Sequence, residues 1–274
     1  VCSSDLMFPG ATADRDAADY VVVGAPLDVS TTFQPGARFG PDRVRRFAET
    51  YDDYDRETDR YFTDLAVHDH GDVRAWDDAE EYLEFLQGVL SDVVRDGALP
   101  VTIGGEHSVT PAGVRATDPE TVVCLDAHLD LRDAYDGNPL SHATAMRRAL
   151  EHDTVERAVI LGARTGSQEE WDRAAEPDVT VVPPEDVADW SPDLDSERVY
   201  LSVDVDGADP AFAPGTGTME PFGLFPREMR NVVRDVAPDA VGFDVVEVND
   251  RDDGQAAALA GKLLRTFVYA HAEG

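Results

Sequence analysis

Lysine is almost absent from this chain: Lys262 is the only one among 274 residues. Arginine raises the basic total to 23, against 56 acidic residues, for a formal net charge of -33. The acids are spread along the whole length rather than gathered in a tail. Phosphate backbones need a basic surface, so this composition argues against a nucleic-acid partner. At low salt such a charge pushes a compact state apart. At 1 M salt the Debye length shrinks to ~3 Å and the repulsion is screened. The chain therefore reads as a halophilic protein from a salt-loaded cytoplasm.

Cysteine is scarce as well. Cys2 and Cys124 are the two present, and they support no disulfide framework. The candidate ligand clusters contain no thiol, and a reducing cytoplasm is the expected compartment. Long apolar runs are also missing. No stretch approaches the ~20 residues needed to cross a bilayer, and the start carries no signal-peptide pattern, so no membrane partner is expected. Residues 1–6, Val-Cys-Ser-Ser-Asp-Leu, precede Met7 and are expected to be a non-native leader. Residues 7–274 are expected to form a single domain, with no repeat, linker or low-complexity segment.

What is present is an alternation of short apolar runs and helical patterns. Strands are expected at 20–23, 99–103, 121–125, 155–161, 179–182, 199–203 and 241–246. Between 78 and 94 the apolar positions Tyr82, Leu83, Leu86, Val89, Leu90 and Val93 follow helical spacing. Asp78 and Glu81 have capping-box spacing, and Gly97 sits where a helix stops. Gly40-Pro41 opens another helix, and more are expected near 142–152, 167–175, 226–236 and 254–271. Alternating β and α with β-branched strands implies a three-layer α/β/α fold around a mainly parallel sheet.

Three short clusters carry the chemistry. They are His107 in Gly-Gly-Glu-His-Ser, then Asp126, His128 and Asp130 in Asp-Ala-His-Leu-Asp, then Asp204 and Asp206 in Ser-Val-Asp-Val-Asp-Gly. All fall at the carboxyl ends of expected strands, where open parallel sheets bind ligands. At a strand end, residues i, i+2 and i+4 share a side, which would bring Asp126, His128 and Asp130 together. Alone, His107 could be a loop histidine, and Asp-x-Asp is common in an acidic chain. Together the six suit two closely spaced divalent cations that make hydroxide from water at neutral pH. Carboxylates outnumber imidazoles, which favours manganese, with zinc, nickel and cobalt still compatible.

These residues resemble the ureohydrolase family of arginases and agmatinases, with an arginase-like fold. The resemblance runs from Phe8-Pro-Gly through Gly24-Ala-Pro, Phe39-Gly-Pro and the three clusters. It continues through Asp209-Pro-Ala-Phe-Ala-Pro-Gly-Thr-Gly-Thr218 to Asp244-Val-Val-Glu-Val248. It implies two manganese ions per chain, one held by His107 and Asp130, the other by His128 and Asp206. Asp126 and Asp204 would bridge them. It further implies that Glu247 binds the substrate guanidinium, that His142 carries protons to the leaving amine, and that the protein is a homo-oligomer, a trimer or hexamer. Physically, Asp130 could orient the attacking hydroxide.

The segment 131–142 lacks the polar spacing with which arginases hold an α-carboxylate. It resembles the agmatinase version, of a halophilic archaeal type, and implies hydrolysis of agmatine to putrescine and urea. Guanidinobutyrate and arginine are the alternative substrates, and a mononuclear zinc deacetylase-like amidohydrolase is the alternative chemistry. Leu129, Gly207-Ala208, Met219 and Phe222 depart from the family pattern at positions that could line the pocket.

Overall fold

The computed structural model describes residues 6–74, 76–194 and 198–274. Residues 1–5, most of the expected leader, lie outside the described residues. Among these residues ten strands appear in chain order: β1 Tyr20–Ala25, β2 Tyr54–Asp55, β3 Arg60–Tyr61, β4 Val67–Asp72, β5 Leu99–Gly104, β6 Thr121–Leu125, β7 Arg157–Leu161, β8 Val179–Val182, β9 Val199–Asp204 and β10 Ala240–Val246. Eight of them form one sheet in the order β4-β1-β5-β10-β9-β6-β7-β8, and β2 and β3 pair separately. Every pairing in the large sheet is parallel.

Among the described residues seven α-helices accompany it: α1 Gly40–Ala48, α2 Ala79–Arg95, α3 Thr110–Thr117, α4 Ala145–Leu150, α5 Gln168–Ala174, α6 Pro226–Val236 and α7 Gln255–His271. Apolar residues of α1, α6 and α7 pack with Val22, Ile103, Leu201 and Phe243 on one face of the sheet. Residues of α2 and α3 pack with Val21, Val23 and Val246 on the other. The central strands are buried on both faces, which is why they read as continuous apolar runs.

Local signals explain the boundaries. Asp78 Oδ1 accepts a hydrogen bond from Glu81 N–H at 3.0 Å and caps α2. Gly97, at φ 87°, lets the chain leave that helix through the left-handed region. Three elements were not expected from the pattern. The edge strand β4 reads Val-His-Asp-His-Gly-Asp, too polar to stand out. The short helix α3 is rich in Thr, Pro, Ala and Gly. The β2–β3 hairpin is four residues in all. The helix expected near 142–152 is a 3-10 turn, His142–Thr144, followed by α4. Among the described residues no helix is long and apolar enough to cross a membrane.

Candidate active site

The chain leaves β5 and β6 on either side of a gap that β9 and β10 later fill. The four strands β5, β10, β9 and β6 are thus neighbours, and their carboxyl ends point at one place. His107 follows β5 in a 3-10 turn, and Asp126 follows β6 directly. Asp204 ends β9, Asp206 lies in the turn Val205–Gly207, and Glu247 follows β10. Gly105 permits the first of these placements. A Cβ there would lie 1.9 Å from the carbonyl oxygen of Leu27, so the main chain could not turn past β1 with a larger residue.

The six candidate ligands converge. His107 Nδ1 lies 2.8 Å from Asp130 Oδ2, 3.1 Å from Asp126 Oδ2 and 3.5 Å from Asp204 Oδ2. His128 Nδ1 lies 3.0 Å from Asp206 Oδ2 and 3.5 Å from Asp126 Oδ1. Asp126 therefore faces both imidazoles, one oxygen to each. Glu247 Oε1 accepts a hydrogen bond from His107 N–H at 2.9 Å and stands 3.7 Å from His142 Nδ1.

Strand alternation is not what assembles residues 126, 128 and 130. β6 ends at Leu125, and Asp130 sits in the left-handed region at φ 50°. Its carbonyl accepts Arg147 N–H at 3.0 Å, which anchors the turn. Glu247 is likewise past its strand, at φ 62°. Neither is glycine, so both conformations are strained and imposed by surroundings. A thiol from β6 also reaches the cluster: buried Cys124 places Sγ 3.8 Å from His107 Nε2 and 3.9 Å from Asp126 Oδ2. His107, Cys124 and Asp126 form one of the groups whose atoms lie close enough to hold a metal.

Several residues that sequence reasoning passed over support the site. Fully buried Glu106 accepts from Ser30 Oγ at 2.7 Å and Ser108 Oγ at 2.6 Å, and from the N–H groups of Val29 and Ser30. Ser30 Oγ in turn accepts His142 N–H at 2.8 Å, so Glu106 fixes His142 through one hydroxyl. Buried Asp244 accepts from Ser202 Oγ at 2.6 Å and Tyr200 Oη at 2.9 Å. Ser202 and Asp204 share a side of β9 by alternation, which is the one sequence signal for this group.

The electrostatics call for a cation. Burial opposes a charged His107, yet Cys124, Asp126 and Asp130 around it raise its pKa well above the usual imidazole value. Burial also pushes Asp126 up, but the His107 and His128 imidazoles facing it outweigh burial and hold this carboxyl well below the usual range. Asp204 goes the other way: burial, then Asp206 and Asp126, drive its pKa well up. Burial, with Glu106 and Asp206, does the same to Glu247. Five buried carboxylates against two imidazoles carry more negative charge than the side chains neutralise. The buried His107 Nδ1 faces three of these acids yet makes no hydrogen bond, as a lone pair awaiting a metal would. The donor set fits a pair of hard divalent cations.

Above the cluster opens a cavity of about 290 Å³ lined by Thr32, Arg132, Tyr135, His142, Glu170 and Glu247 among others. Arg132 Nη2 lies 3.1 Å from Glu170 Oε2, and its guanidinium stands 5.2 Å from the Tyr135 ring. A larger cleft of about 800 Å³ runs beside β4, past Arg38, Arg45 and His70. It contains none of the candidate ligands. His68, His152 and His271 bond to Ala13, Asp118 and Tyr20, away from the cluster.

The sequence profile of the Arginase family matches residues 18–269. The agmatinase of Pyrococcus horikoshii is 36% identical over 96% of this chain and 94% of its own. The N(1)-aminopropylagmatine ureohydrolase of Thermococcus kodakarensis is 35% identical over 94% of this chain and 92% of its own. Among solved structures, the agmatine ureohydrolase of Thermoplasma volcanium superposes with a TM-score of 0.91 at 34% identity, covering 98% of this chain and 95% of that one.

Proposed function

The chain belongs to the arginase family, and from that premise we propose that it hydrolyses agmatine to putrescine and urea. Members of the family are hydrolases of guanidino carbon–nitrogen bonds, and this chain is one of them. The finer reading rests on one observation, the lining of the 290 Å³ cavity. That volume is at the small end for ligand sites and suits a short linear substrate. Five of its lining residues are acids, and its single arginine, Arg132, is already paired with Glu170.

In this reading His107 and Asp130 would hold one manganese ion and His128 and Asp206 the other, with the Asp126 and Asp204 carboxylates available to both. Such a pair, when bound, supplies hydroxide at neutral pH and offsets negative charge. The protein's own groups do the rest. Glu247 takes the guanidinium by a charge-assisted pair, and its buried position makes that pair strong. His107 N–H holds Glu247 Oε1 and so aims the carboxylate. Asp130 accepts a hydrogen bond from the attacking oxygen. His142 delivers a proton to the leaving nitrogen; its Nε2 is buried without a partner among the described residues.

Glu170 suits the distal ammonium of agmatine. Its Oε2 accepts from Ser167 N–H and Ser167 Oγ and is ion-paired with Arg132, and Oε1 forms no hydrogen bond among the described residues. A carboxylate-tailed substrate such as guanidinobutyrate, or arginine, would need Arg132 to abandon that pair. A mononuclear zinc amidohydrolase would leave one imidazole–carboxylate grouping idle. We also read residues 7–274 as one catalytic domain and the working form as a cytoplasmic homo-oligomer, a trimer or hexamer, on the strength of the family resemblance.

The test is urea release from agmatine, guanidinobutyrate, aminopropylagmatine and arginine, in high salt with added manganese. Agmatine is expected to give the highest kcat/KM. Preference for either carboxylate-bearing compound would overturn the substrate, and urea from none of them would overturn the activity.

A further inference from the structure

One cation organises the site without lining its cavity. Arg164 lies three residues past β7, and its guanidinium is spent on main-chain carbonyls. Nη2 donates to Asp206 O (3.0 Å), Ala208 O (3.3 Å) and Glu220 O (2.7 Å). Nη1 donates to Gly162 O (2.9 Å) and Gly207 O (3.1 Å), and Nε to Pro221 O (3.1 Å). Among the described residues no carboxylate forms an ion pair with it. Five N–H donors thus serve six acceptors from three separate segments.

Those segments meet at Asp206. Its Oδ1 accepts Ala127 N–H at 3.2 Å and its Oδ2 accepts Thr218 Oγ1 at 3.3 Å. Arg164 N–H itself donates to Ala127 O at 2.9 Å. The same arginine therefore touches the turn after β6, the turn after β9 and the loop just past Thr218. That loop needs holding. Phe222 stands at φ 67° with 87% of its surface exposed, a left-handed conformation with no packing to reward it. Asp209 Oδ2 accepts the N–H groups of Phe222 and Gly223, and Arg164 takes the carbonyls just before them. Gly223 packs against both the guanidinium and the main chain it holds: a Cβ there would come within 2.5 Å of Nη2, 2.6 Å of Asp209 N and 2.7 Å of the Ala208 carbonyl carbon.

A lysine could not do this, because a single ammonium with three donors cannot reach carbonyls spread around a planar fork. We propose that Arg164 is a positioning residue for the Asp206 side of the metal cluster, locking the turn 206–208 and the loop 218–223 into one register. This rests on the reading of Asp206 as a ligand of one of two ions.

The experiment titrates Mn2+ into the metal-free full chain in high salt, following unbound Mn2+ by its electron paramagnetic resonance. Arg164→Lys and Gly223→Ala are compared with the parent and with Asp206→Ala. The parent is expected to bind two ions. Arg164→Lys should weaken one of them by tenfold or more and the other by less than threefold, and raise KM for agmatine more than it lowers kcat. Gly223→Ala keeps the arginine but pushes a methyl onto it and onto the main chain at Ala208 and Asp209, so it disturbs the same turn from the loop side; it should give the same selective loss and still report if Arg164→Lys does not fold. Equal weakening of both ions together with a lower melting temperature of the metal-free chain would mean a purely structural arginine and overturn the proposal. So would parent-like binding in both variants while Asp206→Ala loses one ion. Two ions retained by Asp206→Ala would instead overturn the reading of Asp206, and the role of Arg164 with it.

Discussion

Ser202 stands directly behind His107, with Oγ 3.2 Å from Nε2. The same hydroxyl donates its proton to Asp244 Oδ1 at 2.6 Å, so it can only accept from the imidazole. Nε2 therefore keeps its proton when metal displaces the one on Nδ1, and Nδ1, which faces Asp126, Asp130 and Asp204, becomes the ligand atom. Groups in this position tune metal affinity by 10- to 100-fold. Ser202→Ala is expected to weaken Mn2+ binding by at least ~10-fold with little change in melting temperature of the metal-free chain. Calorimetric titration with Mn2+ reads this, and parent-like affinity would reduce Ser202 to packing.

The convergence of the cluster was legible in the sequence because each ligand cluster lies at or just past the end of a strand, and strand ends meet in a parallel sheet. How the residues are aimed was not. Asp130 and Glu247 reach the site through left-handed backbone, which Asp and Glu seldom adopt without tertiary support. Cys124 looked like an ordinary strand residue, and its contact with His107 depends on a turn seventeen residues earlier in the chain. Glu106, Ser30 and Arg164 lay in loops, and the bonds that tie them to the site reach partners 40 or more residues away, so no local pattern pointed to them.

The proposed division of labour separates metal loss from slow chemistry. Asp126→Ala and Asp204→Ala should lose bound manganese and urea release together, since each carboxylate lies within reach of both groupings or between them. His142→Ala should keep both ions and lower kcat by ~10²–10⁴, the usual worth of a positioned acid or base. Metal content by atomic emission, measured beside urea release, checks both. A metal-loaded Asp126→Ala variant with normal turnover would contradict the assignment.

Glu170 provides a test of the tail. A charge-assisted hydrogen bond contributes ~1.5–3 kcal/mol, which is roughly 10- to 100-fold in KM or kcat/KM. Glu170→Gln is therefore expected to raise KM for agmatine by about that factor. The variant also frees Arg132, which then repels an ammonium and attracts a carboxylate. Activity on guanidinobutyrate should hold or improve. Equal losses on both substrates would assign Glu170 to capping α5 through Ser167, and to nothing in the pocket.

The metal-free protein should have an inverted pH response. Burial and their acidic neighbours raise Asp204 and Glu247, so the folded state favours their protonated forms. That contribution is complete below their unfolded pKa values of ~4 and is lost as pH rises through the raised folded values. His107 and His128 are raised despite burial by the carboxylates facing them, and their contribution is likewise lost above ~6.5. Asp126, held low, acts in the opposite sense, but only below ~4. From pH 6 to 9 the melting temperature without metal should fall. With saturating Mn2+ the ions replace those protons, so the stabilisation by metal should grow with pH. Parallel curves with and without metal would contradict this.

Salt acts on this chain in two opposing ways, and their sizes decide the outcome. Exposed pairs such as Arg46–Asp42 and Arg95–Asp92 weaken with ionic strength, but each contributes only ~0–1 kcal/mol. The repulsion among 56 acids with 23 bases to oppose it is summed over the whole surface and falls as the Debye length shortens. Relief of the second should exceed loss of the first. Raising KCl from 0.1 to 2 M is expected to raise the melting temperature by roughly 10 °C, the shift that ~3–5 kcal/mol gives in a domain of this size. Sucrose at matched osmolality strengthens burial by exclusion without screening charge. It should therefore reproduce only a small part of the rise. An equal rise in sucrose would locate the effect in solvent exclusion and leave the acidic surface without a stabilising response to salt.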